Sequence, residues 1–144
     1  MKQGLIALGL LAITASAWAQ NTPEGLWRSV DEKTGQPKSE VRISASGNVL
    51  VGRIEKLLRP GVDPAAVCTE CSDERKNQPM VGLEIIRGAH KAEGKDEWVG
   101  GKILDPENGK TYTLKLTPIE GGAKLEVRGS VGPFGRTQTW TRVQ

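Results

Sequence analysis

An all-β fold, eight antiparallel strands meandering into a closed up-and-down barrel with one long loop between strands 3 and 4, is what this sequence of 144 residues predicts. Three observations carry the prediction. Short runs of alternating apolar and polar residues recur along most of the chain, the period-2 signature of half-buried strands. Nearly all of them are joined by turns, and short turns make antiparallel neighbours. Between Arg59 and Pro79 the alternation stops. Eight such strands close into a barrel because closure removes exposed edges; a two-sheet sandwich is the alternative architecture.

The first 19 residues read as a secretory signal peptide: Lys2, an apolar run from Leu5 to Ile13, then Ala17-Trp18-Ala19 before the cut. Cleavage after Ala19 leaves residues 20–144 as one barrel domain in the periplasm. No other stretch is apolar for long enough to cross a bilayer. GLWRSV, from Gly25, is the first strand, and DEKTGQP turns the chain. SEVRISA follows, with Val41, Ile43 and Ala45 on one face. Ser46-Gly47-Asn48 is a tight turn into VLVGRIEKLL, where Leu50, Ile54 and Leu58 share a face. Lys56 and Leu57 break that alternation.

The long connection holds both cysteines, and DPAAV within it suits one helical turn capped by Asp63. MVGLEIIRG resumes the strands, AEGKD turns, and EWVGGKIL runs to the hairpin loop DPENG. Asn108-Gly109 there suits the positive φ of tight hairpins. KTYTLKL sets Tyr112, Leu114 and Leu116 on one face. After the turn TPIEGGA, KLEVRGSV alternates strictly, GPFG turns, and RTQTWTRV closes the chain.

The net charge of +3 is spread among interleaved acids and bases. Nucleic-acid binding wants a clustered basic face, so that partner is not expected. Cys68 and Cys71 form a C-x-x-C. A zinc site wants four ligands, and His90 is the only histidine. A redox pair wants a helix N-terminus and a βαβ setting. The remaining reading is a local disulfide stiffening the loop in an oxidising compartment. His90 lies near a turn without the neighbours of a catalytic triad. DPENG departs from a calcium loop at Gly109 and Leu116. No cofactor, metal or catalytic residue is expected, and the chain does not read as an enzyme.

An eight-stranded barrel is either filled by side chains or holds one small ligand. The sequence points to a periplasmic binding or carrier protein for a small apolar or amphipathic molecule. Trp27, Trp98, Tyr112, Arg128, Gln138 and Trp140 are its candidate contacts, with Trp27 also suited to plugging one end. Arg128 falls on the face opposite Leu125 and Val127, so it joins the others only if a bulge intervenes. The long loop, with Lys76, Asn77 and Gln78, is the candidate lid. The alternative is a filled, non-enzymatic envelope module that binds a protein through residues 59–79.

Two resemblances follow from these residues. Gly25-Leu26-Trp27, with Arg136 or Arg142 on the last strand, resembles the G-x-W strand and closing arginine of lipocalin-type barrels. From Pro23 to Arg142 the chain also resembles the bacterial exported family catalogued as domain of unknown function 2147. Four runs carry that likeness: Arg75 to Pro79, Leu104-Asp105-Pro106, Gly109 to Tyr112, and Gly135 to Trp140. The resemblance implies a periplasmic lipocalin-like barrel and no particular activity.

Overall fold

The computed structural model describes residues 21–144, together with Gly4 and Gly9. The expected signal peptide, apart from Gly4 and Gly9, and its expected cut after Ala19 lie outside the described residues. Eight strands follow one another: β1 (Gly25–Val30), β2 (Pro37–Ser46), β3 (Val49–Leu57), β4 (Glu84–Lys91), β5 (Trp98–Leu104), β6 (Thr111–Ile119), β7 (Lys124–Val131) and β8 (Phe134–Arg142). Each pairs antiparallel with the next, and β8 pairs with β1 to close the barrel. A 3-10 turn, Glu120–Gly122, joins β6 to β7.

Every strand sends apolar side chains to one core. Trp27, Val41, Ile54, Ile86, Leu104, Leu116, Leu125 and Trp140 represent the eight strands in order, and all are buried. These walls leave no water-accessible surface on Trp27, Val41, Ile86, Leu116 or Leu125, each 0% exposed. The interior is therefore packed. At roughly 25 cal/mol per Å² of apolar surface removed from water, this shared core is the main force holding the strands in a ring.

The irregular end of β3 has a cause in its register. Glu40 pairs with Lys56, but Val41 pairs with Ile54, so Glu55 is one residue too many. Such a bulge shifts the inside–outside alternation. Lys56 turns out to solvent and Leu57 turns in against the core. Ala45, grouped with Val41 and Ile43 by spacing, lies beyond the core and is exposed. The expected helical turn at DPAAV is only a hydrogen-bonded turn, with Ala66 N–H donating to the Asp63 carbonyl. In the DPENG hairpin Gly109 alone takes a positive φ, of 73°.

The strand order sorts the connections to two ends. The β2–β3, β4–β5 and β6–β7 turns and both described chain ends lie at one end. The β1–β2 loop, the long β3–β4 loop, the β5–β6 loop and the β7–β8 turn lie at the other.

Candidate functional site

The first end is sealed. Trp27 fills it and donates its indole N–H to the Pro23 carbonyl at 2.7 Å. The Arg142 guanidinium lies over the Trp27 ring, 4.2 Å from its centre. It also donates to the carbonyls of Gly122, Glu24, Gln144 and Thr22. One cation thus ties together the entering chain, the β6–β7 turn and the exit. A side chain at residue 25 would collide with this guanidinium, so Gly25 is required there. Burial lowers the Arg142 pKa from its ordinary value.

The other end is the mouth, and the long loop closes it as an internally bonded plug. Cys68 N–H donates to Gln78, Asn77 N–H to Cys68, and Met80 N–H to Ala66, a miniature hairpin with a bridge at Val67 and Pro79. Cys68 and Cys71 are joined as a disulfide and buried in the barrel core at 0% and 2% exposure. Arg75 is buried too. It grips Asp73 and donates to the Glu84 carbonyl at 2.8 Å, which anchors the plug to β4. The Arg75 side chain, and then its backbone N–H, hold the Asp73 carboxyl down to about 2. On the outer side, Glu84 pairs with Arg53 and Arg87, and Arg87 reaches Glu74.

The neighbouring loops clasp the plug. A side chain at residue 109 would run into the Glu70 carbonyl, so only glycine lets the β5–β6 loop approach. Arg59, at the root of the plug, reaches both Asp31 and Glu107 at 2.9 and 2.8 Å. Backbone N–H groups of Thr34 and Lys33, followed by Arg59, lower the Asp31 pKa. Two clefts flank this end. One, of about 340 Å³, runs between the plug and the outer face of β3 and β4, past Arg53, Glu74, Gln78 and Arg87. The other, of about 370 Å³, lies between the β1–β2 loop and β8, lined by Val30, Asp31, Glu32, Arg136, Thr137 and Gln138 among others. Val131 and Phe134, at the tip of the β7–β8 hairpin, stand exposed beside it.

A family model described as an uncharacterized protein conserved in bacteria (DUF2147) matches residues 25–142. The chain belongs to the DUF2147 family. Among solved structures, protein HP1028 from Helicobacter pylori, described as belonging to the lipocalin family, is similar to this DUF2147 chain. The TM-score is 0.74 with 19% sequence identity, covering 87% of this chain and 85% of that one. That likeness shows a lipocalin-like fold. No curated protein matches the chain.

Three of the four runs that resemble the family come together at the mouth of this DUF2147 member, and the fourth starts there and runs along β8. Arg75 to Pro79 builds the plug, and Leu104 to Pro106 and Gly109 to Tyr112 build the loop that clasps it. Gly135 to Trp140 is the β8 stretch beside the second cleft. Of the two candidate closing arginines, Arg142 stacks on Trp27, whereas Arg136 pairs with Glu32 at the mouth.

The six candidate ligand contacts do not form one cluster. Trp27 seals the far end, and Trp98 sits at that same end, beneath Lys91. Trp140 is buried in the wall and donates to the Gln138 side chain at 2.8 Å. Gln138 in turn reaches Glu32 in the second cleft. Tyr112 is near the mouth, bonded by Asn108 and packed on Gly129. β7 and β8 stay in register without a bulge, so Arg128 remains outside, beside Thr137. Lys76, Asn77 and Gln78 are built into the plug through backbone bonds, and Lys76 also donates to the Thr69 carbonyl. His90 is exposed over Gly100 on β4, away from both clefts.

Sequence reasoning missed Asp31, Glu32, Arg59 and Glu107. Asp31 is legible as a turn residue, because its carboxylate accepts from Lys33 and Thr34 two and three residues on. Its pairing with Arg59 has no signal in the chain, since it depends on β1 and β3 flanking β2 so that the segments beyond their ends meet.

Proposed function

We propose that the protein is a non-enzymatic binding protein of the bacterial envelope that works from its mouth end. The packed interior supports the interaction-module form of this reading: the barrel is a rigid stand, and the plug is the surface presented to a protein partner. Asp63, Glu70, Asp73, Glu74 and Lys76 are its exposed charges. The carrier form draws on a different observation. The disulfide and Leu83 occupy core volume at the mouth, so withdrawal of the plug would offer apolar walls to a small amphipathic ligand.

Native mass spectrometry of protein purified from the bacterial envelope separates the two forms. A clean mass of the mature chain is expected for the module. A lipid-sized adduct that leaves on mild activation would establish the carrier. A mass that retains residues 1–19 would overturn the envelope assignment in both.

A further inference from the structure

The barrel wall has one weak joint. Other neighbouring strands are in register at four or more positions, as in β3–β4 and β4–β5. Between β1 and β8 only Trp27↔Arg142 and Arg28↔Thr141 are in register. One residue further along β1 its pairing with β2 becomes irregular. Ser29 pairs with Ser39 but Val30 pairs with Pro37, so Lys38 of β2 is one residue too many, next to the point where the Ser29 and Ser39 hydroxyls meet at 2.6 Å. A bulge raises the local twist of the strand pair that holds it, and this one, on β2, accompanies the departure of β1 from β8.

The departure leaves β8 with a free edge. Leu26 exchanges backbone bonds with Val143 and Gln144 across the joint, so Arg28, two residues on, also faces β8 at Thr141. β8 keeps an unshifted register with β7, so Thr139, Thr137 and Gly135 present their N–H and C=O groups on the same side as Thr141. Among the described residues no β1 position is in register with them. This edge runs about 13 Å from Gly135 to Thr139 at strand rise. It forms one wall of the cleft of about 370 Å³.

We propose that the free edge of β8 from Gly135 to Thr139 is a strand-addition site for an extended segment of a partner protein, carrying a basic residue for Glu32 and an apolar residue for Phe134. Alternating unpaired donors and acceptors along a strand match another extended backbone. The cleft is walled on its far side by the β1–β2 loop, and Glu32 reaches across to Arg136 and Gln138 at 3.1 and 3.0 Å. A single strand fits such a slot, whereas the edge of a second barrel brings its whole sheet along. Asp31 and Glu32 make the loop side acidic, and the Glu32–Arg136 pair that must yield is exposed and cheap to exchange. Just past Gly135, Phe134 is 79% and Val131 61% exposed, an apolar anchor point in line with the slot. This rests on the interaction-module reading, but on a surface other than the plug.

The test uses the mature chain and a synthetic heptapeptide of alternating threonine and valine, with lysine at one end and leucine at the other. In the free protein the Thr137 and Thr139 amides should exchange fast with solvent, and peptide should slow them by about tenfold or more. Methylating the peptide amides on its pairing side should abolish protection, whereas methylating the opposite side should not. Glu32→Gln should weaken the lysine peptide several-fold and leave a norleucine version unchanged. Slow exchange of these amides in the free protein overturns the proposal. So does equal binding by the two methylated isomers, or no protection at millimolar peptide. Protection that maps to residues 59–79 alone also overturns it, while leaving the module reading standing.

Discussion

The two ends of the barrel are closed by different physics. At the sealed end one buried aromatic ring and one cation do the work, with Arg142 bonded to four carbonyls over Trp27. The mouth is closed by an inserted loop, a short disulfide and ion pairs that are largely exposed, such as Arg59 with Glu107 and Arg87 with Glu74. Desolvated contacts of the first kind are costly to break, and screened ones of the second kind are not. The sealed end therefore belongs to stability, and the mouth, where the free edge and exposed apolar groups lie, is the end at which the proposed partner would exchange.

That contrast is open to attack in order of effect. Trp27→Ala should cost about 3–5 kcal/mol, as expected for a large core truncation, in urea unfolding followed by far-ultraviolet circular dichroism. A loss below about 1 kcal/mol would mean the sealed end is not the keystone. Arg142→Met keeps the aliphatic stem over Trp27 but leaves the carbonyls of Gly122 and Thr22 without their charged donor. A loss of about 2–3 kcal/mol is expected, with Arg142→Lys intermediate.

Reduction of Cys68–Cys71 should cost about 2 kcal/mol at most, since it opens a very short ring. Hydrogen exchange should then quicken at Cys68 and Asn77 while β6 and β7 stay protected. Uniform quickening would show that the plug and barrel melt as one unit.

Acid should act first on the mouth. Asp73 is held at about 2 against an ordinary 3.8 by Arg75. A depressed folded value means its contribution is complete above about pH 4 and is lost as pH falls through about 2. Glu74, held down chiefly by Arg87, moves in the same direction. Pepsin digestion across that window should cut within residues 58–83 before any strand. Cleavage beginning in β1 or β8 would reverse the assignment of the two ends.

Much of the fold was legible because strand periodicity is local. GLWRSV and KLEVRGSV match β1 and β7 residue for residue. Other boundaries moved by a few residues where apolar alternation did not mark the end. β6 runs on through Thr117 to Ile119, and β8 begins at Phe134 rather than Arg136. Bulges were harder to see, because an extra residue shows in one strand only as a defect, as at Lys56 and Leu57. Chemistry and strand face are what nominate the candidate contacts. The face assignment kept Arg128 outside, but distance along the barrel axis separated Trp27 and Trp98 from Tyr112 and Gln138.

The sequence by itself determined the eight-strand alternation, the disulfide pair and the G-x-W strand, because each is a matter of neighbours along the chain. The tertiary structure decided that the barrel is filled, that the long loop is a plug, that Arg142 rather than Arg136 caps Trp27, and that β8 keeps a free edge. Those depend on which distant residues the closure of the ring brings within reach, and a one-residue bulge at Lys38 of β2, opposite Ser29 and Val30, accompanies the place where β1 leaves β8.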